Sequence, residues 1–147
     1  MAQVRAIRRQ VFIEEQGIPA GLEWDDRDAL CLHVLALAAG GEPVGTARLD
    51  VDGRIGRMAV LPAWRGRGAG GVLLGTLLAA ARERGLRRVY LHAQQSALPF
   101  YRRAGFRVTG DPCLEAGIVH VCMEMPLDSA DTCRSIRPET CRDPGRD

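Results

Sequence analysis

Between residues 58 and 81 the chain sets residues in a pattern that can bind phosphate. A short apolar run, Met58-Ala59-Val60-Leu61, stops at Pro62 and is followed by Arg65-Gly66-Arg67-Gly68-Ala69-Gly70; Leu73, Leu74, Leu77, Leu78 and Ala81 then recur at helical spacing. The order strand, basic glycine-rich turn, helix has a physical use. Glycine lets the backbone approach a ligand, the first turn of a helix offers N–H groups without intrahelical partners, and the positive end of the helix dipole favours an anion. Arg65 and Arg67 would add charge-assisted hydrogen bonds suited to phosphate. A plain surface turn rich in Gly and Arg is the competing reading, and the flanking strand and helix weigh against it. No Lys-Ser or Lys-Thr follows the glycines, which excludes a P-loop. Gly66, Gly68 and Gly71 meet the G-x-G-x-x-G spacing, but arginines sit inside the turn and Gly85 to Tyr90 stands where a dinucleotide site would hold an acidic residue.

The elements that must position this turn follow from periodicity. Val4, Ile7, Val11 and Phe12 mark an opening amphipathic helix, stopped by Gly17 and Pro19. The acidic segment Glu23-Trp24-Asp25-Asp26-Arg27-Asp28 reads either as a solvated loop or as a lip that attracts a cationic amine, with Trp24 offering a cation–π face. Cys31 to Ala39 and Glu42 to Asp50 read as a hairpin around Gly40-Gly41. Asp52-Gly53 turns the chain into a third strand, Arg54 to Leu61, and after the long helix, which ends near Gly85, Arg87 to Ala93 forms a strand. The helical crossover makes it parallel to the third. Ser96 to Arg103 is a short helix ended by Gly105, and Gly105 to Thr109 and Ile118 to Met125 are the last, antiparallel strands.

Composition bounds the rest. The 147 residues suit one domain, expected over residues 1–127, with a polar tail of residues 128–147 expected to be disordered. A net charge of +2 is too small to argue for nucleic acid, although all twenty basic residues are arginine. No apolar run is long enough for a membrane span and the N-terminal residues lack a secretory apolar region, so no membrane association and a cytoplasmic location are expected. Cys31, Cys113, Cys122, Cys133 and Cys141 show no C-x-x-C pairing and are odd in number, so free thiols and no metal are expected.

Arg65 to Gly70 resembles the acyl-CoA signature R/Q-x-x-G-x-G/A of the GCN5-related N-acetyltransferases (GNAT), and Phe100-Tyr101-Arg102-Arg103-Ala104-Gly105-Phe106 resembles their F-Y-x-x-x-G-F segment. Arg9 to Gln16, the Glu23/Asp25/Asp28 set, Ala93-Gln94 and Glu115 to Met123 are similar to the ElaA/YjcF-like branch of small bacterial acetyltransferases. The resemblance covers roughly residues 5 to 125. It implies an α+β, α/β/α fold: a mixed, mostly antiparallel sheet with a central, splayed parallel pair and helices on both faces. The superfamily begins on a strand and this chain begins on the helix, so either the start is truncated or misassigned, or the first β-strand is missing, which would expose a neighbouring edge and lower stability below the family norm.

The implied activity is transfer of the acetyl group of acetyl-CoA to a primary amine by direct attack through a tetrahedral intermediate. The family's cofactor-binding positions fall on Met58, Ala59, Val60, Arg65, Gly66, Arg67, Gly68, Ala69, Gly70, Ala97, Phe100 and Tyr101. Amides near Met58 to Val60 would polarise the thioester carbonyl. A lysine-like amine with a pKa of about 10.4 must lose its proton, and the CoA thiolate must gain one. Tyr101 matches the general-acid position, against a structural tyrosine packed beside Phe100 and Phe106. Glu115 and His120 are the candidate base, brought together by the Gly117 turn, against a turn carboxylate and an ordinary strand histidine; His33 and His92 are weaker candidates. Trp24, Asp25 and Asp28 are the expected substrate-binding residues, and the acceptor loops are Gly17 to Asp28 and Gly110 to Gly117. The expected partner is a small-molecule or peptide amine, and the resemblance allows a homodimer. Two rival readings stay open: a non-catalytic acyl-CoA sensor, and a nucleic-acid binder resting on arginine content alone.

Overall fold

The computed structural model describes residues 1–127; the expected tail, residues 128–147, and Cys133 and Cys141 with it, lie outside the described residues. The chain forms two compact units. The first holds residues 1–51 and 55–77, and the second, among the described residues, holds 52–54 and 78–127.

In the first unit, α1 (Ala2–Arg8) continues as a π-helical stretch, Arg9–Glu15. Val4, Ile7, Val11 and Phe12 are all buried, as their spacing predicts, and Ile7, Val11 and Phe12 share a core with Ala59 of the third strand. Gly17, at φ +74°, ends the helix, and a one-turn helix, α2 (Ala20–Glu23), follows. β1 (Leu32–Leu37), β2 (Pro43–Leu49) and β3 (Ile55–Val60) form an antiparallel sheet in the order β1-β2-β3. β2 is buried from Val44 to Leu49, as a central strand should be. The 15-residue α3 (Ala69–Glu83) starts in this unit with Leu73, Leu74 and Leu77 buried. A Cβ on Gly45 would lie 3.1 Å from Leu73 Cδ1 and 3.2 Å from the Ala59 carbonyl oxygen, so the helix packs close onto β2 there.

In the second unit, β4 (Arg88–Gln94) pairs antiparallel with β7 (Ile118–Pro126), which also takes β5 (Arg107–Val108) and β6 (Cys113–Glu115). Val89, Leu91, Ala93, Val121, Met123 and Met125 point to one face and are buried. Their neighbours Tyr90, His92, Gln94, His120, Cys122 and Glu124 occupy the other, partly exposed face. α4 (Leu98–Ala104) ends at Gly105, whose φ of +110° suits a left-handed cap, and the Phe106 amide donates to the Tyr101 carbonyl at 3.0 Å.

The ladders of these strands are antiparallel and Arg54 and Tyr90 form a parallel bridge, in keeping with the expected mostly antiparallel arrangement with a splayed parallel pair. One sequence expectation needs correcting. Residues 110–117, expected as a loop, contain β6, which forms a hairpin with β7 through Ala116 (φ +53°) and Gly117 (φ +79°). Two successive positive φ values make this the hairpin turn that matches strand twist, and alanine at its first position hides the turn from a sequence reading.

Gly53 fixes the second unit's entry. A Cβ there would lie 2.7 Å from the Arg88 carbonyl oxygen, and φ is +98°. Gly53→Ala is therefore expected to destabilise by about 2 kcal/mol in urea denaturation. Gly85→Ala, with positive φ but open space around the new methyl, is expected to cost only about 1 kcal/mol.

Candidate active site

The glycine-rich turn has the geometry that an anion-binding loop needs. Gly66 (φ +76°) and Gly68 (φ +90°) adopt conformations that side chains resist, and a Cβ on either would meet nothing within 4 Å. The loop leads into α3, whose first-turn amides have no intrahelical partner. Ala69 and Gly70 open that helix. The two arginines are used differently. Arg65 makes two 2.7 Å bonds to the Glu15 carboxylate, which hold that carboxyl below its ordinary pKa, and its Nε donates to the Val60 carbonyl at 2.9 Å. Arg67 lies 4.9 Å over the Trp64 ring. Beside it runs a groove of about 550 Å³ lined by Leu35, Leu37, Val44, Trp64 and Val72.

β3 carries a bulge where amide donors are wanted. Thr46 pairs with Ala59 and Arg48 with Gly56, so Arg57 and Met58 together oppose Ala47. Arg57 sits at φ +50°, a left-handed conformation unusual for a residue other than glycine. Met58, Ala59 and Val60 follow directly.

The acidic segment is neither a solvated loop nor an unpaired lip. Arg8 is 0 % exposed, and it binds Glu23 (2 % exposed) at 2.6 Å and Asp28 (8 % exposed) at 2.8 Å. Arg48 binds Asp28 at 2.7 Å and both oxygens of Asp25 at 2.9 Å. Trp24 is ringed by the guanidinium groups of Arg5, Arg8 and Arg9, at 5.1, 4.9 and 5.7 Å from the ring. The carboxylates and the aromatic face expected to meet an amine are thus engaged by the chain's own arginines. Hydrogen bonds from Arg48 outweigh burial and bring Asp25 down to about 2. At Asp28 burial opposes the charge, yet the bonds from Arg8 and Arg48 win and the pKa falls; at Glu23 burial wins and the pKa rises. His33 Nε2 donates to the Asp28 carbonyl at 2.9 Å, so its ring is satisfied structurally.

In the second unit the Gly117 turn does fold Glu115 back onto the sheet. The imidazole it meets is His92, whose Nδ1 makes a short hydrogen bond to Glu115 Oε2. Because a carboxylate only accepts, in the neutral ring Nδ1 carries the proton and Nε2 the lone pair. Arg54 lies 3.8 Å from Glu115 Oε1 and 3.3 Å from His92 Nδ1. Burial opposes the Glu115 charge, but His92, His120 and Arg54 outweigh it and lower its pKa. His120 Nδ1 donates to the Ile118 carbonyl at 2.8 Å, which likewise leaves its Nε2 unprotonated when the ring is neutral. The alternation of β4 and β7 is the signal that finds His92: Gln94 pairs with His120 and His92 with Cys122, on one face. Cys113 of β6 pairs with His120 on that same face.

Tyr101 is buried on α4, edge-on to Phe100 (5.0 Å) and Phe106 (5.7 Å), and burial pushes its hydroxyl up to about 12. Ala97 ends the short turn that leads into α4. Among the described residues no group of three His, Cys, Asp or Glu is placed to hold a metal, and no helix is long and apolar enough to cross a membrane. Cys31, Cys113 and Cys122 are free thiols.

Arg8→Met would leave two buried carboxylates short of a partner, and a loss of about 3–5 kcal/mol is expected in urea denaturation. The Asp25 contribution has a defined sign. Its folded pKa, about 2, lies below the ordinary 3.8, so its stabilisation is complete above about pH 4 and is lost as pH falls through about 2. Asp25→Asn is expected to flatten the stability profile in that window.

Comparison with known proteins identifies the family. Residues 28–127 match the family model described as an acetyltransferase (GNAT) domain. The chain is 36% identical over 121 residues to YjcF of Bacillus subtilis (strain 168), named an uncharacterized N-acetyltransferase, covering 80% of this chain and 86% of the relative. A crystal structure of a protein named as an N-acetyltransferase from Lactobacillus plantarum superposes with a TM-score of 0.79 at 35% identity, covering 86% of this chain and 90% of that one. Escherichia coli ElaA superposes with a TM-score of 0.70 at 29% identity, covering 84% and 88%. The chain belongs to the GNAT acetyltransferase family and is an acyl-CoA-dependent acyltransferase.

Proposed function

We propose that the protein transfers the acetyl group of acetyl-CoA to a primary amine by direct attack. The observation that carries this reading is the His92–Glu115 pair with Arg54 beside it: a carboxylate that fixes one ring nitrogen as a donor and leaves the other as a base.

Each unit contributes by its own chemistry. In the first, the amides of Gly66 to Gly70 are assigned to the pyrophosphate, with Arg67 adding charge; Arg65, tied to Glu15, chiefly shapes the loop. The amides of Met58 to Val60, at the bulge, are assigned to the thioester oxygen. In the second unit, His92 Nε2 takes the proton of the incoming ammonium, and His120 Nε2 faces the same side of the sheet as an alternative acceptor. The amine nitrogen then forms its bond to the carbonyl carbon, the C–S bond breaks as Tyr101 gives its proton to the CoA sulfur, and the second proton of the acylated nitrogen passes through solvent to the tyrosinate and restores it. A buried tyrosine with a pKa of about 12 suits that last role because it is held in the protonated form. Ala97 and Phe100, either side of the start of α4, are assigned to the pantetheine arm. Trp24, Asp25 and Asp28 are assigned to the arginine network rather than to the amine.

Steady-state kinetics of single variants test this assignment. Tyr101→Phe is expected to lower kcat by about 100-fold or more, and the wild-type profile is expected to show no fall from tyrosine ionisation below about pH 11. His92→Gln is expected to lose about 100-fold in kcat and Glu115→Gln at least about tenfold. Unchanged kcat/KM in both would remove the pair from the mechanism.

A further inference from the structure

We infer that Arg57 is a positioning residue for acyl transfer, holding the β3 bulge in its working shape by clamping it to the acidic segment. This rests on the acyl-transfer reading above, which assigns the neighbouring amides of Met58 to Val60 to the thioester oxygen.

This bulge places one residue in the left-handed region, which glycine would adopt freely. This chain places arginine there, at φ +50°. A side chain in that region costs on the order of 1 kcal/mol, so something must hold it. The side chain supplies the hold. Its Nε lies 3.3 Å from the Glu23 carbonyl oxygen and 3.3 Å from Glu23 Oε1, and its terminal nitrogen donates to the carbonyls of Leu22 (3.3 Å) and Glu23 (3.1 Å) and to Asp25 Oδ2 (3.1 Å). These acceptors are themselves fixed: Glu23 by Arg8, and Asp25 by Arg48 from the strand next to β3. The backbone on each side of the bulge is pinned by the ladder, Arg48 to Gly56 and Thr46 to Ala59, which leaves Arg57 and Met58 as the pair whose conformation the ladder does not set. A guanidinium in five polar contacts can set it. Burial disfavours the Arg57 charge, so the clamp is worth holding only while Glu23 and Asp25 stay beside it. The acidic segment then serves the reaction at one remove, through the backbone it aims.

Arg57→Gly separates the clamp from the fold, because glycine removes the φ cost and the side chain together. Three readouts are compared with wild type: melting temperature, kcat and KM for acetyl-CoA, and the ¹³C resonance of the carbonyl in bound, carbonyl-labelled acetyl-CoA. The expected result is a melting temperature within a few degrees, KM within about threefold, kcat lower by about 100-fold, and a carbonyl resonance moved back toward its free-solution value. Arg57→Lys, which cannot reach all these acceptors at once, is expected to fall between, at about tenfold in kcat. If Arg57→Gly does not fold, Arg57→Lys decides alone by the same readouts. A variant with wild-type kcat and carbonyl resonance overturns the inference, as does a loss of kcat that tracks a fall in melting temperature with the resonance unmoved. The two failures are distinguishable. Wild-type protein that binds acetyl-CoA without moving the resonance and without turnover overturns the acyl-transfer reading and this inference with it; an active wild type with indifferent variants overturns this inference only.

Discussion

A guanidinium with no access to solvent governs the first unit. Arg8 comes from a helix whose other inward residues are apolar, and it is buried among them because Glu23 and Asp28 are buried with it. An isolated buried charge would cost several kcal/mol, so helix, acidic segment and Arg48 of β2 have to be in place together. Such a network is a weak source of net stability compared with an apolar core of the same size, and a strong source of uniqueness: few alternative packings satisfy three guanidinium groups and three carboxylates at once. The fold uses that uniqueness on β3, where Glu23 and Asp25 meet Arg57, a strand residue in a left-handed conformation.

The second unit works on a simpler rule. Its sheet is apolar on one face and polar on the other, and strand period alone puts His92, His120 and Glu124 on the polar face. The hairpin of β6 and β7 adds the carboxylate that fixes His92 by a hydrogen bond at Nδ1. Burial disfavours the charged form of Tyr101 and of Glu115 alike, and their neighbours decide the outcome: the Tyr101 hydroxyl is kept protonated, while the hydrogen bond from His92 and the charge of Arg54 help to lower the Glu115 pKa.

Much of this was legible in the sequence. The opening helix, both hairpin strands of the first unit, α3 and the glycine loop follow from periodicity and from Gly and Pro placement, and the two linked motifs pointed to the family. The losses have physical reasons. Arg8, Arg48 and Arg57 sit in otherwise apolar stretches, where local pattern reads an arginine as a solvent-facing residue; only long-range pairing with an acidic loop buries it. Trp24 and its carboxylates were assigned outward for the same reason. Glu115 was matched with His120 because they are close in sequence, whereas the sheet register brings His92 to it from the neighbouring strand. The bulge at Arg57 was hidden because its left-handed residue is not glycine.

The proposed transfer of an acetyl group from CoA to a nitrogen can be followed by incubating the full chain with acetyl-CoA and a panel of primary amines, including polyamines, amino acids and peptides, and recording free thiol release and product mass together. At least one amine is expected to gain one acetyl group in equal amount to the CoA released, with Tyr101→Phe strongly slowed. Acetyl-CoA binding with neither thiol release nor an acetylated amine across the panel would contradict it.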